Sequence, residues 1–168
     1  MKIGILGGSF DPAHKGHLAI SKEAKKRFKL EKIIWAVTKK NPLKAESKTP
    51  ISKKIKDCKK IIGLNSFIKG KFYENIIKST KTIDLIIYLK KNKNIEIFFL
   101  MGADNLINFH KWFKSELISQ KCNIIVFDRH GYKKNSLKSK TFKKLNNKAL
   151  TFVEFKKINI SSSQLRKI

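Results

Sequence analysis

Short apolar runs of strand length alternate with longer stretches of helical period along almost the whole chain. The strand-like runs are 2–7, 33–37, 95–100 and 123–127, with a weaker one at 67–73 and a last one at 151–155. Between them, 15–28, 51–62, 82–90 and 103–120 carry apolar residues at helical spacing, such as Leu18, Ile20, Ala24 and Phe28 in the first. Pro42 and Pro50 mark 38–50 as a loop, and Thr49 or Ser52 stands where a cap for the following helix belongs. The Lys-, Asn- and Ser-rich stretch 131–149 has the least pattern. Alternation of this kind builds βαβ units, so the expected class is α/β with a mostly parallel, doubly wound sheet. Crossovers in such sheets are right-handed, and ligands bind outside the carboxyl ends of the strands. With 168 residues, no internal repeat and no compositional break, one domain over 1–168 is expected.

The charge bears on partners. Lysine and arginine number 39 against 12 acidic residues, a formal charge of +27. Such a field attracts polyanions, which keeps nucleic-acid binding as an alternative. The excess is lysine spread over the chain, however; only Arg27, Arg129 and Arg166 are arginine. Base readers use arginine for planar, bidentate contacts, and no zinc-finger, RRM or KH signature is present, so a dedicated nucleic-acid partner is not the reading adopted. No apolar run approaches the roughly 18 residues a bilayer requires. The first apolar stretch breaks at Gly7-Gly8 and is too short for a signal-peptide core. No membrane partner and a cytoplasmic location are expected. Cys58 and Cys122 lie far apart in apolar-periodic segments and are expected as buried free thiols.

The run Gly7-Gly8-Ser9-Phe10-Asp11-Pro12-Ala13-His14-Lys15-Gly16-His17 falls where the first strand passes into the first helix. A doubly wound sheet places a phosphate site there. Glycines let backbone N–H groups approach phosphate oxygens, and Ser9 adds a hydroxyl. His14 and His17, three apart at a helix start, can face one side and donate to a polyphosphate at the positive helix end. Gly16 keeps the surface between them open. The spacing is neither GxxxxGK[ST] nor GxGxxG. The run resembles the (H/T)xGH signature of the nucleotidylyltransferase superfamily.

The chain's last segment, Ile160-Ser161-Ser162-Ser163-Gln164-Leu165-Arg166, is similar to that superfamily's second signature, Ile-Ser-Ser-Thr-x-x-Arg. Serines at a helix start offer hydroxyls and N–H groups to phosphate, and Arg166 offers a bidentate fork. A third group follows the strongest strand: Gly102-Ala103-Asp104, then Trp112-Phe113, then Arg129-His130-Gly131-Tyr132. This succession resembles the bacterial nicotinate mononucleotide adenylyltransferase family. Asn41-Pro42-Leu43-Lys44 and Thr80-Lys81-Thr82 match further family segments.

The resemblance runs from Met1 to Arg166 and implies a Rossmann-like nucleotidylyltransferase fold with adenylyl transfer from ATP to nicotinate mononucleotide. It implies that the acceptor phosphate is the nucleophile, so no Ser, Cys or Asp nucleophile is needed, and that Mg²⁺ bridges ATP phosphates. His14, His17 and Arg166 would be catalytic. Gly8, Ser9, Phe10, Gly16, Gly102, Asp104, Ser161, Ser162 and Ser163 would join them around ATP. Asn41, Lys44, Thr82, Asp104, Trp112 and Arg129 would hold the acceptor, with Trp112 at the pyridine ring. His110 and His130 are expected in surface or loop structure. Serine replaces threonine at 9 and 163, and Phe113 stands where tyrosine is common. Beside the resemblance, the sequence stops soon after Arg166, short of the C-terminal extension that many relatives carry, which is expected to bear on oligomeric contacts more than on chemistry; a homo-oligomer is one expectation. The rival within the superfamily is a phosphopantetheine adenylyltransferase, against which Trp112 and the Arg129–Tyr132 run argue. A catalytically silent nucleotide sensor is a third reading.

Overall fold

The computed structural model describes residues 1–39, 47–128, 135, 138–140, 143 and 150–154. Its strands are β1 (Lys2–Gly8), β2 (Lys32–Val37), β3 (Ile68–Lys71), β4 (Glu96–Gly102), β5 (Asn123–Phe127) and β6 (Leu150–Val153). They form one sheet in the order β3-β2-β1-β4-β5-β6, and every pairing is parallel. From β1 the chain winds outward to β3, then returns to β4 and winds the other way. The winding therefore reverses between β1 and β4, and a crevice opens beyond their carboxyl ends.

The helices are α1 (Lys15–Phe28), α2 (Ile51–Ile62), α3 (Glu74–Ile77), α4 (Thr82–Leu89), α5 (Ala103–Leu106) and α6 (Ser115–Lys121), with a 3-10 turn at Phe109–Lys111. Successive strand residues point to opposite faces, so each strand feeds two cores. Ile5, Ile34, Phe99 and Val126 pack with Ile83, Ile86, Phe109 and Ile118 of α4, the turn and α6. Leu6, Trp35, Leu100 and Phe127 pack with Ile20, Ala24, Cys58 and Ile62 of α1 and α2. Both faces are covered, which is why the strands read as near-continuous apolar runs. An added Cβ at Gly4 would lie 2.9 Å from Leu30 Cδ1; glycine there lets the chain leaving α1 close on β1.

The six expected strands are present, with β3 shorter than the run suggested and β6 described to Val153. Two local expectations fail. The stretch 103–120 is two short helices and a 3-10 turn, broken by Lys114 in the left-handed region at φ 52°. Neither Thr49 nor Ser52 caps α2, whose N-cap is Pro50 without a side-chain bond; Thr49 Oγ1 instead donates to Asp11 Oδ1 at 2.7 Å. The short helix α3 was unforeseen.

Cys58 and Cys122 are free and buried. Burial pushes each thiol up to about 12, with neighbouring Asp57 adding to the shift at Cys58. Among the described residues no helix is long and apolar enough to cross a membrane.

Candidate active site

β1 ends at Gly8, level with Val37 of β2, and β4 ends at Gly102 beside it. The loop from Ser9 to His14 thus starts at the point where the winding reverses. Phe10 has φ 50°, in the left-handed region, which costs a side-chain-bearing residue about 1–3 kcal/mol. Packing offsets that cost. Phe10 is 1% exposed; its ring stacks on Trp35 at 5.2 Å and meets the tilted His17 ring at 4.5 Å. Trp35 is itself anchored, its indole N–H donating to Ser21 Oγ at 2.8 Å.

His14 is the N-cap of α1 and His17 closes a reciprocal capping box with it. The Gly16 N–H donates to His14 Nδ1 at 3.0 Å, and the His14 N–H donates to His17 Nδ1 at 3.1 Å. A ring nitrogen that accepts carries no proton, so each neutral imidazole holds its proton on Nε2. The two rings lie 3.9 Å apart between centroids, and both side chains are buried. The caps thus fix which nitrogen of each ring donates. That arrangement can present two N–H donors to an anion at a helix N-terminus.

A cleft open to solvent starts at Gly7 and Gly8 and reaches Thr82 and Trp112. Trp112 follows the 3-10 turn in extended conformation. It is half-buried, with Phe99 edge-on at 6.0 Å and Phe109 at 5.1 Å behind it. Trp112 thus packs against the core on one side and lines the cleft on the other. Thr82 is the first residue of α4. Gly102 is the N-cap of α5 and Asp104 lies within its first turn rather than at the cap.

Asn41, Lys44, Arg129, Ser161, Ser162, Ser163 and Arg166 lie outside the described residues, as do His130 and Tyr132. Of the other expected residues, the loop group Gly8, Ser9, Phe10, His14, Gly16 and His17 is contiguous, and Thr82 and Trp112 share the cleft with Gly8.

Three participants were not foreseen. Glu74 and Asn105 line the cleft. The Thr38 hydroxyl donates to Glu74 Oε1, while Glu74 Oε2 is buried without a hydrogen-bond partner. Lys54 of α2 is 1% exposed and donates to Ser9 Oγ at 3.2 Å and to the Thr38 carbonyl at 3.1 Å. Its signal was present in the sequence: Lys54 leads the i, i+4, i+8 stripe Lys54-Cys58-Ile62 that α2 buries.

Residues 5–168 match the cytidylyltransferase-like family model. A Pelagibacter ubique protein named "probable nicotinate-nucleotide adenylyltransferase" is 65% identical over 99% of this chain and 93% of its own length. A Rhizobium johnstonii protein of the same name is 33% identical over 83% of this chain and 71% of its own. Among solved structures, Plasmodium falciparum nicotinic acid mononucleotide adenylyltransferase complexed with NaAD superposes with a TM-score of 0.81. It covers 99% of this chain and 82% of that one at 24% identity, a likeness of fold. On the sequence matches, this chain belongs to the nicotinate-nucleotide adenylyltransferase family of cytidylyltransferase-like proteins.

Proposed function

We propose that this chain transfers the adenylyl group of ATP to the phosphate of nicotinate mononucleotide, a step of NAD biosynthesis carried out in the cytoplasm. An acceptor phosphate oxygen forms a bond to the α-phosphorus, the bond from that phosphorus to the β-phosphate bridging oxygen breaks, and pyrophosphate leaves. The nucleophile comes with the substrate, so the protein contributes positioning and electrostatics. The observation that carries the reading is the continuity of one cleft from Gly7-Gly8, the residues that lead into the loop and the His14/His17 capping box, to the Trp112 and Thr82 wall. A donor and an acceptor bound along it would meet at the loop.

In this reading His14 and His17 Nε2–H groups bind the α- and β-phosphates, and Ser9 with the loop amides orients them. Asp104 contacts nucleotide hydroxyls or the acceptor. Trp112 flanks the pyridine ring, with Asn41, Lys44, Thr82 and Arg129 around the acceptor. Ser161, Ser162, Ser163 and Arg166 hold the departing pyrophosphate. Mg²⁺ carried by ATP would neutralise charge on its phosphates. The loop's donors suit phosphate oxygens rather than a metal, and among the described residues no cluster of three or more His, Cys, Asp or Glu is present; an ion held by phosphates and water fits that donor set.

The test is pyrophosphate release from ATP and Mg²⁺ with nicotinate mononucleotide, nicotinamide mononucleotide and phosphopantetheine offered separately. Release with nicotinate mononucleotide is expected. Release with phosphopantetheine alone would keep the chemistry and overturn the assignment of Trp112; no release with any acceptor would overturn the function.

A further inference from the structure

Lys54 is placed where two electrostatic costs add. Its ammonium is buried, and it sits in the first turn of α2, which contains no acidic residue. Burial penalises the charge by desolvation, and the positive end of a helix disfavours a cation. A solvated lysine would avoid both. What the ammonium does instead is span the two strand ends that frame the loop: Ser9 Oγ just after β1, at 3.2 Å, and the Thr38 carbonyl just after β2, at 3.1 Å. The Thr38 hydroxyl in turn holds Glu74 on the cleft wall. One cation thus ties the loop that begins the cleft to the strand beside it.

We propose that Lys54 is a positioning residue for the ATP phosphates, acting through Ser9. Its ammonium accepts no proton from Ser9 and competes for the Ser9 oxygen lone pair, so the hydroxyl hydrogen turns away from Lys54 and toward the loop's outer side. Its charge also lies directly beneath the loop, where low dielectric makes it felt by a bound polyphosphate. The inference rests on the reading of this loop as the ATP site. It adds a residue that no loop motif contains.

The test compares the unaltered protein with Lys54→Met, Ser9→Ala and the double variant, measuring melting temperature, kcat, and KM for ATP and for nicotinate mononucleotide. Methionine keeps much of the apolar stem but removes the charge and takes this donor from Ser9 Oγ and the Thr38 carbonyl, so some loss of stability is expected with it. The expected result is a protein that still unfolds cooperatively, with a melting temperature lowered by a few degrees, and with kcat/KM for ATP lowered about tenfold or more. KM for the acceptor should change by less than about threefold, and Ser9→Ala should cost little once Lys54 is gone. Activity of Lys54→Met within about twofold of the unaltered protein, or equal cost of Ser9→Ala in both backgrounds, would overturn the proposal. If Lys54→Met does not fold, Lys54→Arg replaces it in the same cycle, and additive effects overturn the proposal there too. If the unaltered protein transfers no adenylyl group, the adenylyl-transfer reading fails by itself. The Lys54 inference is then decided by Mg²⁺·ATP titration, where Lys54→Met should weaken binding about tenfold and unchanged binding would refute it.

Discussion

His17 answers to two demands, one structural and one chemical, and they can be separated. Structurally it closes the capping box of α1, accepting the His14 N–H through Nδ1, and its ring fills the space between Phe10, His14 and Trp35. Chemically, the same acceptor bond leaves the proton on Nε2. A residue that served only as a cap would be worth about 1 kcal/mol of stability and nothing in turnover. A preorganised donor to a transition-state phosphate is worth roughly a hundredfold or more in rate. His17→Ala should therefore lower turnover by about two orders of magnitude or more while urea unfolding shows a loss of about 1–2 kcal/mol. Turnover within about threefold of the unaltered enzyme would leave His17 as a cap alone.

At the scale of elements, the sequence carried the strands and the longer helices because each buries a stripe whose period shows in the residue order. α1 and α2 fall on their expected bounds. It did not carry the break-up of 103–120. A 3-10 turn and an α-helix have similar periods, so Leu106, Phe109 and Ile118, all buried, look like one helical face. The residue that divides them, Lys114, enters the left-handed region without being the glycine or asparagine that would announce it. The four residues of α3 are too few to show a period, so Glu74 was invisible. Thr49 was lost as a cap for a different reason: a tertiary partner, Asp11, takes its hydroxyl. Of the site, the loop residues were legible because the strand-to-helix passage is continuous in sequence. Glu74 and Lys54 reach it from elsewhere in the fold. The break also sets the orientation of Trp112, whose extended conformation after the turn leaves it half-buried on the cleft wall. Trp112→Ala should then raise KM for nicotinate mononucleotide by about fivefold to tenfold, the value of one aromatic contact, with KM for ATP unchanged. Equal increases in both constants, measured by initial rates with each substrate varied, would mean that the tryptophan supports the whole sheet edge and not the acceptor.

For the whole molecule, the dominant quantity is charge. At +27 the folded chain repels itself: 12 acidic residues face 39 basic ones, and exposed pairs such as Arg27–Glu23 and Lys53–Asp57 are each worth only a few tenths of a kcal/mol. The acidic residues being so outnumbered, mobile ions must supply most of the compensation. Raising NaCl from about 20 mM to about 300 mM shortens the screening length from roughly 20 Å to under 8 Å, which is less than the spacing of most surface charges. The melting temperature should therefore rise by a few degrees, about what 1–2 kcal/mol produces in a chain of this size. The same screening weakens the field that gathers a polyphosphate, so KM for ATP should increase over the range in which stability improves. These opposite trends discriminate between origins of the effect. A general stabilisation by salt would improve or preserve both, whereas a shared electrostatic cause separates them. A melting temperature that stays flat while KM for ATP still rises would place the relevant lysines near the loop and leave the rest of the surface electrostatically idle.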